Sequence, residues 1–119
     1  MPDLAARECV PCRGGVPPMD SAAIANLKPQ IDSAWSVVAR PDPKWGTVTL
    51  LKREFSFPDF KGALAAALRI GALAEEQRHH PDLSVGWGKL GVQIWTHKIG
   101  GLTESDFIFA AKCDAIVLV

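Results

Sequence analysis

The stretch TVTLLKREFSF, residues 47–57, runs directly into PDFKGALAAALRIGALAEEQRHHP, residues 58–81, and the fold turns on the change between them. The first half is rich in β-branched and aromatic residues in partial alternation, which suits an extended strand. The second half is dominated by strong helix formers. Pro58 suits a first helical position, so the pattern predicts a helix over residues 58–79. Phe60, Leu64, Ala67, Leu68 and Gly71 recur at spacings of three and four and are expected to form its apolar face. The many alanines give a smooth surface that can lie close on a sheet, and Pro81 stops the helix.

Working outward, Asp20 or Ser21 caps a short first helix reaching Leu27 or Lys28, where Pro29 disfavours continuation. Trp35, Val37 and Val38 mark a short strand, and ARPDPKWG (39–46) turns it toward the longer one. Beyond Pro81, Val85 and Trp87 suggest another short strand. Residues 90–97 suggest a longer one, with Val92, Ile94 and Thr96 alternating against Gln93 and Trp95. Gly86, Gly88 and Gly91 mark turns or bulges. Thr103-Glu-Ser-Asp106 is a helix start of capping-box type, with Asp in place of Glu. Phe107, Ile108, Ala111, Ala115 and Ile116 carry that helix toward the C-terminus. The order α-β-β-α-β-β-α predicts an α+β single domain: a four-stranded antiparallel sheet with three helices packed on one face. Residues 1–18, punctuated by Pro2, Pro11, Gly14, Gly15, Pro17 and Pro18, read as an irregular arm before a domain over 19–119.

The bulk numbers exclude several classes. A chain of 119 residues with 48% hydrophobic and 22% charged residues supports one packed core. Thirteen basic residues balance thirteen acidic ones, so nothing in the charge points to nucleic acid or an anionic membrane. A near-neutral chain does little to oppose self-association, and a homo-oligomer is expected. No window has transmembrane length and the opening residues lack a signal-peptide core, which makes the cytoplasm the expected location. Three cysteines, Cys9, Cys12 and Cys113, argue against a disulfide framework. Cys9-Val-Pro-Cys12 is a CxxC without a second pair. It reads as a loosely held, reducible segment rather than half a zinc site, although a zinc module using Cys9, Cys12 and histidines is a competing reading.

All three histidines fall in residues 75–97. Adjacent helical residues point about 100° apart, so His79 and His80 are poorly arranged to share a metal, and no metal is expected. Imidazole titrates near pH 6.5, so histidines in one pocket can divide acid and base roles. Glu75, one helical turn before His79, is placed to orient it, and the end of a helix favours a cationic ring. The residues alone point to a small-molecule site using histidine acid–base chemistry.

Glu75-x-x-x-His79-His80-Pro81, then Trp87, Thr96-His97, Gly100-Gly101-Leu102-Thr103 and Asp106 together resemble the signature of the pterin-4a-carbinolamine dehydratases. CVPCRGGVPP (9–18) is similar to the N-terminal arm of bacterial and plant members, and FSFPDFKGAL (55–64) to the entry of the family's second helix. The resemblance implies an enzyme that removes water from 4a-hydroxytetrahydrobiopterin to give quinonoid dihydropterin, recycling the pterin of aromatic amino-acid hydroxylases, with no metal or organic cofactor. It implies His79, His80 and His97 as the active-site histidines, Glu75 as support for the first of them, and Asp106 near His97, with an equally strong structural role as part of the helix cap. Pro81, Trp87 and Thr96 would line the pterin pocket. The chain has no tyrosine, and Trp87 stands where the family often has one; Arg78 stands where Asn or Asp is common. Partners implied are the pterin and further copies of the chain, as a dimer or tetramer. The alternatives are a non-catalytic pterin-binding or dimerisation module, as some animal members bind a transcription factor, and a dehydratase-like protein of molybdopterin metabolism.

Overall fold

The computed structural model describes residues 4–9 and 17–117. Its main elements are α1 (Ser21–Leu27), β1 (Ser36–Asp42), β2 (Gly46–Ser56), α2 (Phe60–Gln77), β3 (Asp82–Gly86), β4 (Lys89–Ile94) and α3 (Glu104–Val117). The four strands make one antiparallel sheet in the order β1-β2-β4-β3. The class and the α-β-β-α-β-β-α order are those expected from the sequence.

The register places Leu51 opposite Ile94, Arg53 opposite Val92 and Phe55 opposite Leu90, and this face packs under α2 and α3. Successive strand residues point to opposite faces. Leu50 and Leu51 are nevertheless both fully buried, so β2 is covered on both sides at that point. That double cover is why its alternation is only partial.

Helix α2 departs from expectation at both ends and around its axis. It starts at Phe60, two residues after Pro58, because the Asp59 side chain accepts a hydrogen bond from Gly62 N–H at 2.7 Å and acts as the cap. Its buried stripe is Ala63, Ala66, Ala67, Ile70, Ala74 and Gln77, while Phe60, Leu64 and Leu68 are 43%, 42% and 68% exposed. The expected apolar face is therefore only partly the packed one. Small side chains let the helix approach the sheet, and the bulky stripe is turned outward. The helix ends at Gln77, because Arg78 adopts a left-handed conformation (φ 54°) and the N–H groups of Arg78 and His79 both return to the Ala74 carbonyl. His79 and His80 thus lie beyond the helix, and the 100° relation assumed for them does not apply.

Strand β3 ends at Gly86, leaving Trp87 in the turn, and β4 ends at Ile94, so Trp95, Thr96 and His97 lie outside the ladder. Helix α3 buries Phe107, Ile108, Phe109, Ala110 and Cys113. A helix enclosed on several sides has no need of a single apolar stripe.

The N-terminal segment is more tightly held than its composition suggests. Leu4 and Cys9 are 2% and 8% exposed, and a 3-10 turn at Leu4–Ala6 lies on α3. Burial pushes the Cys9 thiol up to about 11, so at neutral pH it is protonated and a poor nucleophile. This corrects the expectation of a loose, reducible segment for residues 4–9; Cys12 lies outside the described residues.

Across the sheet, Trp35 packs edge-on against Phe55 at 6.2 Å and donates its indole N–H to Asp114 of α3 at 3.0 Å. Arg53 reaches the same carboxylate at 3.0 Å. Burial, opposed by Trp35 and Arg53, raises the Asp114 carboxyl above its ordinary value.

Gly100 has φ 70°, and a Cβ there would lie 2.4 Å from the Trp45 ring. Gly100→Ala is expected to lower unfolding free energy by at least about 1–2 kcal/mol from the left-handed backbone alone, measured by urea denaturation.

Candidate active site

The chain leaves β4 at Trp95 and folds back immediately. Thr96 N–H donates to the Gly101 carbonyl at 2.9 Å, and the Thr96 carbonyl accepts from Ile99 and Gly100 N–H at 3.2 and 3.0 Å. These bonds close a tight turn with His97 at its start. The positive φ of Gly100 permits the closure.

Below that turn lies the first residue pair of the site. Asp106 has no exposed surface, and a buried carboxylate must be fully partnered. Its Oδ1 lies 2.5 Å from His79 Nε2. Its Oδ2 accepts from Thr96 Oγ1 at 2.9 Å and from Thr103 N–H at 2.8 Å. The bond to Thr103 N–H is the backward half of a capping box. One carboxylate therefore caps α3 with one oxygen and orients a histidine with the other.

His79 is nearly enclosed, its side chain 10% exposed and its ring 5.6 Å from that of Phe109. A carboxylate on Nε2 fixes the proton there and leaves Nδ1 as the available ring nitrogen. His80 is different. Its Nε2 meets Glu75 Oε2 at 2.5 Å, with side chains 60% and 79% exposed. His97 is exposed, and its ring lies 4.2 Å from the Trp95 ring at 55°; no hydrogen bond holds its ring nitrogens among the described residues. Three histidines thus occupy three environments: backed by a buried carboxylate, paired at the surface, and resting on an aromatic wall.

Arg78, His79, His80, Trp95, Thr96, His97 and Lys98 line one cleft of about 300 Å³. The pairing differs from that implied by resemblance. Glu75 contacts His80 rather than His79, and Asp106 contacts His79 rather than His97. The early end of α2 explains both: His79 leaves the helix toward α3, and His80 turns back along the face carrying Glu75. Pro81 and Trp87 do not line the cleft. Trp87 is 73% exposed in the β3–β4 turn, at the far end of β3 from His80.

The aromatic at the cleft is Trp95, which the sequence placed only as a strand residue. Its signal was adjacency to Thr96-His97, masked by the apparent strand alternation. Trp95 is buried, with Arg40 5.6 Å above its ring. Arg40 is in turn held by Gln93 at 2.5 Å. A larger depression of about 450 Å³ lies on the open sheet face near Lys52, Glu54, Lys89 and Gln93. It contains no histidine. Among the described residues, no group of three or more His, Cys, Asp or Glu is arranged to hold a metal ion.

Asp106→Ala leaves the Thr103 N–H and Thr96 hydroxyl without their buried acceptor. It is expected to cost about 3 kcal/mol of unfolding free energy. Glu75→Ala, at an exposed pair, is expected to stay within about 0.5 kcal/mol. Parallel urea titrations of the two variants check the contrast.

A family model described as Pterin 4 alpha carbinolamine dehydratase matches residues 17–116. A relative from Rubrobacter xylanophilus is 47% identical over 116 residues, covering 98% of this chain and 100% of the relative. One from Rickettsia bellii is 44% identical, covering 95% and 93%. The names of both assign them provisionally to the pterin-4-alpha-carbinolamine dehydratases. A crystal structure described as a transcriptional coactivator/pterin dehydratase from Brucella melitensis superposes with a TM-score of 0.71 at 25% identity, covering 84% of this chain and 98% of that one. A pterin dehydratase-like protein described as a RuBisCO assembly factor in the alpha-carboxysome shares the fold, with a TM-score of 0.56 at 22% identity, covering 71% and 89%. The chain belongs to the pterin-4-alpha-carbinolamine dehydratase family.

Proposed function

We propose that the chain dehydrates 4a-hydroxytetrahydrobiopterin to quinonoid dihydropterin and water, returning the pterin used by aromatic amino-acid hydroxylases. The observation that carries this reading is the unlike provision for His79 and His97 at one cleft. One ring is fixed by a buried carboxylate, and the other is free of ring hydrogen bonds among the described residues. Elimination needs two proton transfers at neighbouring atoms. Hydroxide leaves poorly, so an imidazolium gives its proton to the 4a-oxygen as the C4a–O bond breaks and water departs. A neutral imidazole takes the N5 proton, and the N–H electron pair becomes the N5=C4a double bond. One proton is given and one is taken, so the enzyme ends with the same number it began with and needs no cofactor.

Asp106 supports this chemistry in two ways. It holds His79 in a single tautomer and orientation, and it offers a fixed negative charge to positive charge developing on that ring. His80, tied to Glu75 at the cleft mouth, is suited to substrate binding. Trp95 backs the His97 ring and helps to set its place at the cleft. A cleft of about 300 Å³ falls within the range of small-molecule sites. The exposed Phe60, Leu64 and Leu68 support a homo-oligomeric enzyme.

Stopped-flow decay of chemically prepared 4a-hydroxytetrahydropterin tests the reading. The parent protein is expected to accelerate decay, and His79→Ala and His97→Ala each to slow the catalysed phase by about 10²–10⁴-fold, the usual contribution of one acid–base group. Decay as fast as the parent's in both variants would rule out the assigned roles.

A further inference from the structure

Gln77 is a buried polar residue that the acid–base chemistry does not use. It is 5% exposed and sits in the last turn of α2, two residues before His79. Its Oε1 accepts the Cys9 backbone N–H at 3.0 Å, and its Nε2 donates to Glu8 Oε2 at 3.0 Å and to Glu76 Oε1 at 3.3 Å. Both ends of the amide are thus occupied, chiefly by the N-terminal segment.

That segment also grips α3 where Asp106 begins its work. Cys9 Sγ lies 3.6 Å from the Ser105 carbonyl, one residue before Asp106. Arg7 meets Glu104 at 2.6 Å, and Lys112 donates to the Ala5 carbonyl at 2.9 Å. Leu4 is buried in the core beside them. The Arg7–Glu104 pair is exposed and contributes little alone. The Gln77 bonds are the sheltered part of the set, and a sheltered polar group is costly to leave unpaired.

Residues 4–9 therefore touch both pieces of chain whose meeting creates the His79–Asp106 pair. On one side they hold the last turn of α2, immediately before the left-handed Arg78 redirects the chain. On the other they hold the first turn of α3. The segment adds these ties to the direct packing of α2 on α3.

We propose that Gln77 is a positioning residue: through Glu8 and Cys9 it clasps the end of α2 to the start of α3 and thereby sets the placement of the His79 ring on Asp106. The inference rests on the proposed roles of His79 and Asp106, and it gives the N-terminal segment a part in the site although none of residues 4–9 lines the cleft. The clasp acts by geometry alone.

The test is the imidazole nitrogen spectrum of the full-length protein, labelled with ¹⁵N-histidine and read by NMR beside turnover. Gln77→Met keeps length and apolar bulk while removing both amide contacts. The expected result is a shifted or broadened His79 Nε2 signal with the His80 signals unchanged. With it, kcat should fall about tenfold and KM should change less than twofold, in line with the sensitivity of such reactions to small misplacements. Glu8→Ala, a surface substitution that leaves the Cys9 bond in place, is the second variant in case the first unfolds. It should move the His79 signal in the same direction by less. Superimposable His79 signals in the folded variants would overturn the inference. The spectral readout needs no substrate, so a parent protein inactive on the carbinolamine would defeat the proposed reaction and leave the clasp to be judged by the spectra.

Discussion

The constraint on which the site depends is the burial of Asp106. A carboxylate with no exposed surface is tolerated only when its oxygens are occupied, and here every partner comes from a different piece of chain. His79 arrives from the end of α2, Thr96 from the turn after β4, and Thr103 from the start of α3 itself. None of these contacts can shift without unpairing another. The helix cap, the closed turn and the histidine orientation are one coupled requirement.

This coupling accounts for the different surroundings of the three histidines. His79 is enclosed because its ring must reach a buried oxygen. His80, the next residue beyond the helix, meets Glu75 in solvent instead. His97 stands on the turn that Thr96 closes, with Trp95 behind it. Adjacent positions thus acquire unlike surroundings from local backbone geometry.

Much of the fold was legible in the sequence. The strand-to-helix change at residues 47–81 and the capping box at Thr103–Asp106 are local signals, and local signals survive folding. What was not legible depended on approach between elements. Phe60, Leu64 and Leu68 have the right spacing for a core face, yet the sheet selects Ala63, Ala66, Ala67 and Ile70, because close packing is decided by size as well as hydrophobicity. Both carboxylate pairings depart from those implied by resemblance; a helix continuing to residue 79 would put Glu75 beside His79. A left-handed Arg78 puts it beside His80 instead, and nothing in an arginine announces that conformation. Trp87 carries the sequence signature, whereas Trp95 lines the cleft. Spacing alone does not separate a tryptophan at a hairpin tip from one at a strand's end.

The proposed reaction requires the pterin site to be the histidine cleft rather than the larger depression on the open sheet. A crystal structure of the protein with a 7,8-dihydropterin product analogue tests it most directly. The bicyclic ring is predicted to lie in the cleft with its C4a–N5 edge toward His79 and His97. A ring bound instead among Lys52, Glu54 and Lys89, with the histidines untouched, would contradict it.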